Sequence, residues 1–103
     1  MAAQVLAMYN TPADPTAFEQ YYHGTHIPLA KRLPGLRSYT INRGPLVSPA
    51  GAPPYYLIAT LSFDSMEAIQ AAFASPEGKA AAADIPNFAT SGATLLMCEV
   101  QNI

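Results

Sequence analysis

Three short stretches of the chain are rich in apolar residues and one alternates along its length, and each is bounded by residues that favour turns. Short apolar or alternating stretches are typical of β-strands, because successive side chains of a strand point to opposite faces of a sheet. The third stretch is apolar at nearly every position, as expected of a central strand that is covered on both faces. We therefore predict four strands, at Gln4–Tyr9, Gly35–Arg43, Tyr55–Phe63 and Ala93–Val100.

Two segments between these strands have the apolar spacing of amphipathic helices. The first helix is predicted to begin at Asp14, an N-cap residue followed by a proline at the first helical position, and to run to about Thr25. The second follows Asp64 and Glu67, which have the spacing of a capping box. A further helical turn is predicted after Ser75, which also precedes a proline.

The predicted order is strand, helix, strand, strand, helix, strand, which is the ferredoxin-like βαββαβ arrangement of the α+β class. Right-handed crossovers place both helices on one face of a four-stranded antiparallel sheet and leave the other face bare. A length of 103 residues is that of one domain, so residues 1–103 are expected to form a single domain.

The composition indicates that a second copy of the chain covers the bare face. Hydrophobic residues make up 50% of the chain and charged residues only 12%, about half of what soluble domains usually contain. A domain of this size buries too little surface to hide so many apolar side chains, so an oligomer interface is expected. We predict a homodimer in which the sheets of the two subunits stack into a barrel-like dimer.

Charge and cysteine content exclude several classes of function. The formal net charge is -2 and the five basic residues are scattered, whereas a nucleic-acid-binding protein needs a basic surface. No apolar run approaches the roughly 20 residues that cross a bilayer, so we expect no membrane insertion. Cys98 is the one cysteine, and the first residues lack the features of a signal peptide, which favours the cytoplasm.

The sequence contains no glycine-rich phosphate loop, no CxxC pair, no HExxH motif and no nucleophile elbow, so we expect neither a metal nor a cofactor. What remains is Phe18–Pro28, where two histidines and two tyrosines lie near the end of the first helix. Histidine can act as an acid, a base or a ligand near neutral pH, and tyrosine offers a hydroxyl on an apolar body. These residue types suit an apolar pocket with a few polar groups.

Within this segment His26 is the candidate catalytic residue, and Tyr22, Tyr39 and Tyr9 are candidate contacts to a small hydrophobic molecule. His26 shares the apolar helix face of Tyr22, so a structural histidine that is hydrogen-bonded in the core is the competing interpretation. His23 lies on a more exposed side of the helix and is expected to be solvated.

Two short motifs resemble the ethyl tert-butyl ether degradation (EthD) family of the dimeric α+β barrel superfamily. In the first, a tyrosine-aromatic pair is followed four residues later by a histidine and then by a proline, with Leu-Pro-Gly-Leu opening a strand. In the second, an aspartate precedes a phenylalanine by four residues. The residues concerned are Tyr21, Tyr22, His26, Pro28, Leu33, Pro34, Gly35, Leu36, Asp84 and Phe88.

The resemblance implies a dimer with a pocket between helices and sheet that His26 lines. The family and its relatives include cofactor-independent oxygenases, isomerases and decarboxylases of ring compounds, together with members of no known reaction. Three functions therefore remain open. His26 could be a general base acting on an aromatic or lactone-like compound, the chain could bind a hydrophobic metabolite without turnover, or His26 could ligate haem.

Overall fold

The computed structural model describes residues 2–103. They form the predicted ferredoxin-like fold, a four-stranded antiparallel sheet of order β2-β3-β1-β4 with the helices packed on one face. The strands are β1 (Ala3–Asn10), β2 (Ser38–Ile41), β3 (Tyr55–Phe63) and β4 (Ala93–Glu99). The helices are α1 (Pro15–Tyr21), a π-helical segment (Tyr22–His26), α2 (Ile27–Ala30), α3 (Met66–Ala74) and α4 (Pro76–Phe88).

The two central strands carry the core. Along β1 and β3 every second side chain is buried beneath the helices, and the neighbours between them are half-buried on the opposite face. The nearly continuous apolar sequence of β3 predicts burial on both faces. Within one chain, burial is complete only on the face that packs against the helices. Ile58 and its neighbours belong to the uncovered face, where they alternate with the buried Leu57 and Ala59.

Strand β2 is shorter than the predicted Gly35–Arg43. Leu33 to Leu36 form a turn in which the amide of Leu36 donates to the carbonyl of Leu33. Gly35 adopts a φ of +81° in this turn, a conformation that residues with a Cβ rarely adopt. The turn takes up the first residues of the predicted strand, so the amide of Arg37 makes the first backbone hydrogen bond to β3 and the paired register begins at Ser38.

The first helical region departs from a regular α-helix at its centre. Asp14 caps α1 as predicted, because its carboxylate accepts a hydrogen bond from the amide of Ala17. The helix does not end near Thr25. Instead it passes through the π-helical segment, where the amide of Ile27 donates to the carbonyl of Tyr22, five residues earlier, and it continues as α2. Such π-helical turns are rare and occur often at functional sites.

The predicted cap of the second helix is wrong by one residue. The hydroxyl of Ser65, rather than the carboxylate of Asp64, accepts the hydrogen bond from the amide of Ala68. Asp64 is instead bound through both carboxylate oxygens by the guanidinium of Arg37, at 2.7 and 3.0 Å. The predicted restart at Ser75 is confirmed, since its hydroxyl accepts from the amide of Gly78.

Strand β4 and the face of the sheet away from the helices are poorly covered. Leu95, Leu96 and Met97 are between 39% and 52% exposed, which is high for large apolar side chains. Leu96 pairs with Leu6 on the face that carries no helix. No helix within the described part of the chain is long and apolar enough to cross a membrane.

Candidate functional site

A small cavity lies between the helices and the centre of the sheet, and His26 lines it. We call it the inner cavity, and its volume is about 30 Å³. The floor of the cavity consists of small side chains, because Ala7 and Ala59 are directly paired across β1 and β3. Ala30 and Ala81 contribute small side chains from the helices above. The remaining lining residues are Val5, Tyr9, Leu33, Tyr39, Leu61, Phe73, Ile85 and Leu95.

His26 is held in this cavity by Asp84 of helix α4. The Nδ1 atom of His26 lies 2.9 Å from Oδ2 of Asp84, and the two side chains are only 6% and 7% exposed. The π-helical segment ends at His26 and directs it toward α4, where Asp84 lies on the buried face. The ring of His26 also packs on Phe88, one turn further along α4, with centroids 4.6 Å apart.

Three donors converge on the carboxylate of Asp84. In addition to His26, the hydroxyl of Tyr21 donates to Oδ1 at 2.6 Å and the amide of Asn87 donates to Oδ1 at 3.2 Å. Burial raises the pKa of Asp84, but these hydrogen bonds together outweigh it and leave the pKa below its ordinary value. Asp84 is therefore an ionised acceptor at neutral pH.

The ionised state of Asp84 fixes the tautomer of His26. Burial lowers the pKa of His26, and the hydrogen bond to Asp84 opposes this only in part, so the imidazole is neutral at pH 7. An aspartate can only accept, so Nδ1 of His26 carries the proton and donates it. Nε2 then holds the lone pair. No hydrogen bond joins Nε2 to another residue of the range 2–103, so its lone pair has no protein donor.

Tyrosine hydroxyls supply the other polar groups of the site. The hydroxyls of Tyr22 and Tyr39 lie 2.6 Å apart. Burial above all, and then the proximity of Tyr39, raise the pKa of Tyr9 and Tyr22 far above 10, and burial also raises that of Tyr39. All three phenols therefore stay protonated over the physiological pH range, so none of them can act as a base in place of His26.

The structure brings the four candidate residues together, although not in equal positions. His26, Tyr9 and Tyr39 line the inner cavity. Tyr22 does not line it, but its hydroxyl is hydrogen-bonded to that of Tyr39. His23 is exposed as expected, and its Nε2 lies 3.1 Å from the carboxylate of Glu19.

Sequence reasoning missed the role of Asp84, which entered only as part of the resemblance. The available signal was an acidic residue within an alanine-rich helix, at a position spaced by four from Phe88 on the buried face.

A second, larger cavity of about 670 Å³ lies at the end of the sheet near the loop between β2 and β3. We call it the outer cavity. Its size is in the range of small-molecule sites, whereas the inner cavity has room for only one or two water molecules. His26 does not line the outer cavity, but His23 does.

The volume of the inner cavity also decides whether His26 has room to ligate haem. A porphyrin is far larger than the 30 Å³ beside His26, so the residues around His26 do not fit haem. Within residues 2–103, no group of three or more histidine, cysteine, aspartate or glutamate side chains is placed to hold a metal ion.

Comparison with known proteins identifies relatives over nearly the whole chain. The family model for the EthD domain matches residues 10–92. An uncharacterized 11.0 kDa protein from the thcB-thcC intergenic region of Rhodococcus erythropolis is 41% identical over 101 residues, which are 97% of this chain and 96% of that protein.

Solved structures show the same fold. The crystal structure of an EthD family protein from Bacillus halodurans is 36% identical and superposes with a TM-score of 0.89, covering 98% of this chain and 100% of that one. SnoaB, a cofactor-independent oxygenase from Streptomyces nogalater, is only 16% identical with a TM-score of 0.68, over 99% of this chain and 95% of its own, and so is similar in fold alone. Because the family model matches residues 10–92 and the Rhodococcus erythropolis and Bacillus halodurans proteins are 41% and 36% identical over nearly the whole chain, the chain belongs to the EthD family.

Proposed function

We propose that this protein binds a small hydrophobic or aromatic molecule between its helices and its sheet, and that His26 removes a proton from it as a general base. The observation that carries this proposal is the 2.9 Å hydrogen bond between Nδ1 of His26 and Asp84. A base needs its lone pair directed at the substrate, and a carboxylate behind the ring fixes the tautomer that provides it.

The residues around His26 have different roles in the proposed proton transfer. Nε2 accepts the proton, and the imidazolium that forms is stabilised by the ionised carboxylate of Asp84. The negative charge left on the substrate would be stabilised by neutral donors at the cavity, the hydroxyls of Tyr9 and Tyr39. Proton removal of this kind can begin an isomerisation or a cofactor-independent oxygenation, and the distant fold relative SnoaB is an oxygenase of that class.

The size of the inner cavity limits what can approach His26. A volume of about 30 Å³ admits the reacting end of a molecule and excludes a complete ring. Leu95 lines this cavity and is 39% exposed, so the cavity lies close to the surface beside β4. A substrate therefore presents a small acidic C–H or O–H group to His26, while its larger part lies elsewhere.

Exchange of the α-protons of nitroethane in D2O, followed by NMR, tests the proposal with a small carbon acid. The wild-type protein is expected to accelerate exchange above the rate in buffer, and His26→Gln is expected to return it to that rate. The glutamine amide can still donate to Asp84, which preserves the fold. His23→Gln is the matched control, because His23 is exposed and outside the inner cavity. Equal rates for wild type and His26→Gln would refute the general-base role.

Asp84→Asn tests whether Asp84 positions and stabilises His26. Exchange is expected to slow, and the apparent pKa of the exchange profile is expected to fall, because the imidazolium loses the carboxylate that favours it. A merely structural role for Asp84 would lower the melting temperature and leave the pH profile in place.

Binding without turnover is the second candidate, and the burial of His26 favours it. A side chain that is 6% exposed and already hydrogen-bonded to Asp84 has the features of a structural histidine. In that case nitroethane exchange stays at the buffer rate in every variant. His26→Ala then lowers only the stability, by about 1 to 3 kcal/mol, because Asp84 loses a partner.

We also propose that the protein works as a homodimer whose uncovered sheet faces stack. The face without helices presents half-exposed apolar side chains from adjacent strands, among them Leu6, Met8, Ile58 and Leu96. Two packed sheets are a common way to bury such a face. The core described above lies entirely on the helix side, so this interface would not disturb the inner cavity.

A further inference from the structure

The outer cavity has a largely apolar surface, with polar groups contributed by Thr11, Glu19, His23, Asn42 and Arg43. The loop after β2 contributes Pro45 and Leu46, the strands contribute Ile41, Tyr55 and Leu57, and the first helical region forms the opposite side. A concave, largely apolar site of about 670 Å³ with few polar groups is the usual form of a small-molecule site.

The acidic group of the outer cavity is already engaged. The carboxylate of Glu19 accepts a hydrogen bond from the hydroxyl of Tyr56 at 2.8 Å through Oε1, and its Oε2 lies 3.1 Å from His23. The side chain of Tyr56 reaches α1 because the pairing of β1 and β3 is irregular between Tyr9 and Asn10. Both oxygens of Glu19 therefore have protein partners, and the carboxylate is poorly placed to bind a ligand.

The basic group of the same cavity is not engaged. Arg43 lines the outer cavity and is exposed, and among residues 2–103 it has no carboxylate partner within ion-pair distance. Arg37, by comparison, is bound to Asp64. A guanidinium presents a planar set of donors that matches a carboxylate or a sulfonate. The positive charge of Arg43 is thus complementary to an anionic group of a ligand.

The outer cavity and the inner cavity follow one another along the same elements. On β3 the outer cavity is lined by Leu57 and the inner one by Ala59, two residues and about 7 Å further on. On β2 the corresponding residues are Ile41 and Tyr39. The ring of Tyr22 packs between the two histidines of the π-helical segment, with centroids 5.9 Å from His23 and 5.4 Å from His26.

We propose that the outer cavity binds the body of the substrate, and that this body is an apolar ring compound carrying a carboxylate that Arg43 binds. The inference rests on the proposed function, because the molecule's reacting end would have to pass Tyr22 and Tyr39 to reach His26. It accounts for the mismatch between an inner cavity with room for only one or two waters and a proposed substrate that contains a ring.

Two fluorescent dyes test the outer cavity without knowledge of the substrate. 1-Anilinonaphthalene-8-sulfonate is an aromatic body with an anionic group, and N-phenyl-1-naphthylamine is the same body without the charge. Arg43→Gln is expected to weaken binding of the sulfonate by about three- to tenfold and to leave the uncharged dye unchanged. Arg32→Gln removes a basic side chain elsewhere on the surface and is the matched control.

A second variant reports on where the dyes bind. Leu46→Trp places a large side chain in the wall of the outer cavity and is expected to weaken both dyes. If Arg43→Gln and Arg32→Gln bind the sulfonate as the wild type does, or if Leu46→Trp affects neither dye, the inference is overturned. Neither readout involves proton transfer. Failure of dye binding therefore leaves the role of His26 standing, and failure of nitroethane exchange leaves the outer cavity standing.

Discussion

His26 and Asp84 are hydrogen-bonded at 2.9 Å although 58 residues separate them in the sequence. The contact joins the end of the π-helical segment to the middle of helix α4, above the centre of the sheet. The pKa of each partner is lowered in the fold, for different reasons. Burial keeps the histidine neutral, and hydrogen bonds keep the carboxylate ionised.

This pair predicts a loss of stability on mild acidification. The folded-state pKa of His26 lies below its ordinary value of 6.5, chiefly because of burial, with Asp84 opposing the shift. Between these two pKa values the unfolded chain binds the proton and the folded chain does not, so the free energy of unfolding falls as the pH falls from 6.5 toward the folded-state pKa. Urea titrations at pH 7.5 and 5.5 should show this fall in the wild type and a smaller one in His26→Gln.

The carboxylate of Asp84 contributes to the pH dependence of the free energy of unfolding in a lower pH range. The pKa of Asp84 is below 3.8 in the folded state, so its contribution is lost only as the pH falls through that lower value. If the wild type were instead more stable at pH 5.5 than at 7.5, the folded form of the pair would be an ion pair with a protonated His26.

Tyr22 and Tyr39 should be energetically coupled through their hydroxyls, which lie 2.6 Å apart. Tyr22→Phe removes one hydroxyl and leaves that of Tyr39 without its partner, at a cost of about 1 kcal/mol. Adding Tyr39→Phe should cost less in this background than in the wild type. A double-mutant cycle measured by urea unfolding checks the coupling, and strictly additive effects would show that the hydrogen bond contributes nothing to stability.

Gly78 should tolerate no side chain. A Cβ at this position would overlap the carbonyl oxygen of Ala72 and Cα of Phe73, which are backbone atoms at the corner between α3 and α4. Gly78→Ala is therefore expected to lower the free energy of unfolding by about 2 kcal/mol or more, since the helices must separate.

Gly24 is the matched control for this substitution. It also lies in a helical segment, but nothing lies within 4 Å of a Cβ built on it. Gly24→Ala is expected to leave the free energy of unfolding unchanged or to raise it by up to about 1 kcal/mol. Equal melting temperatures for the two variants would contradict the close approach of α3 and α4.

Ile58→Lys should dissociate the proposed dimer. Ile58 lies on the face of the sheet that carries no helix, and a charge buried there without a partner costs several kcal/mol. Sedimentation velocity is expected to show a dimer for the wild type and a monomer for the variant. Val47→Lys introduces the same charge in the exposed loop between β2 and β3 and should remain dimeric. A monomeric wild type at micromolar concentration would contradict the interface.

Local sequence determined much of the fold. The bounds of β3 follow from its nearly continuous apolar run, and they agree with the structure at both ends. The caps at Asp14 and Ser75 are also local, since each side chain accepts from an amide three residues ahead in the chain. The order of elements then leaves few arrangements, because crossovers are right-handed and helices must bury one face.

Tertiary structure decided which polar groups meet. Asp64 has the local features of an N-cap, but Arg37 from the chain segment before β2 takes its carboxylate, and Ser65 caps the helix instead. Asp84 becomes the partner of His26 only when α4 packs over the π-helical segment. A residue's hydrogen-bonding capacity is set by its type, but its partner is set by the packing of elements that are distant in sequence, and no local pattern records that packing.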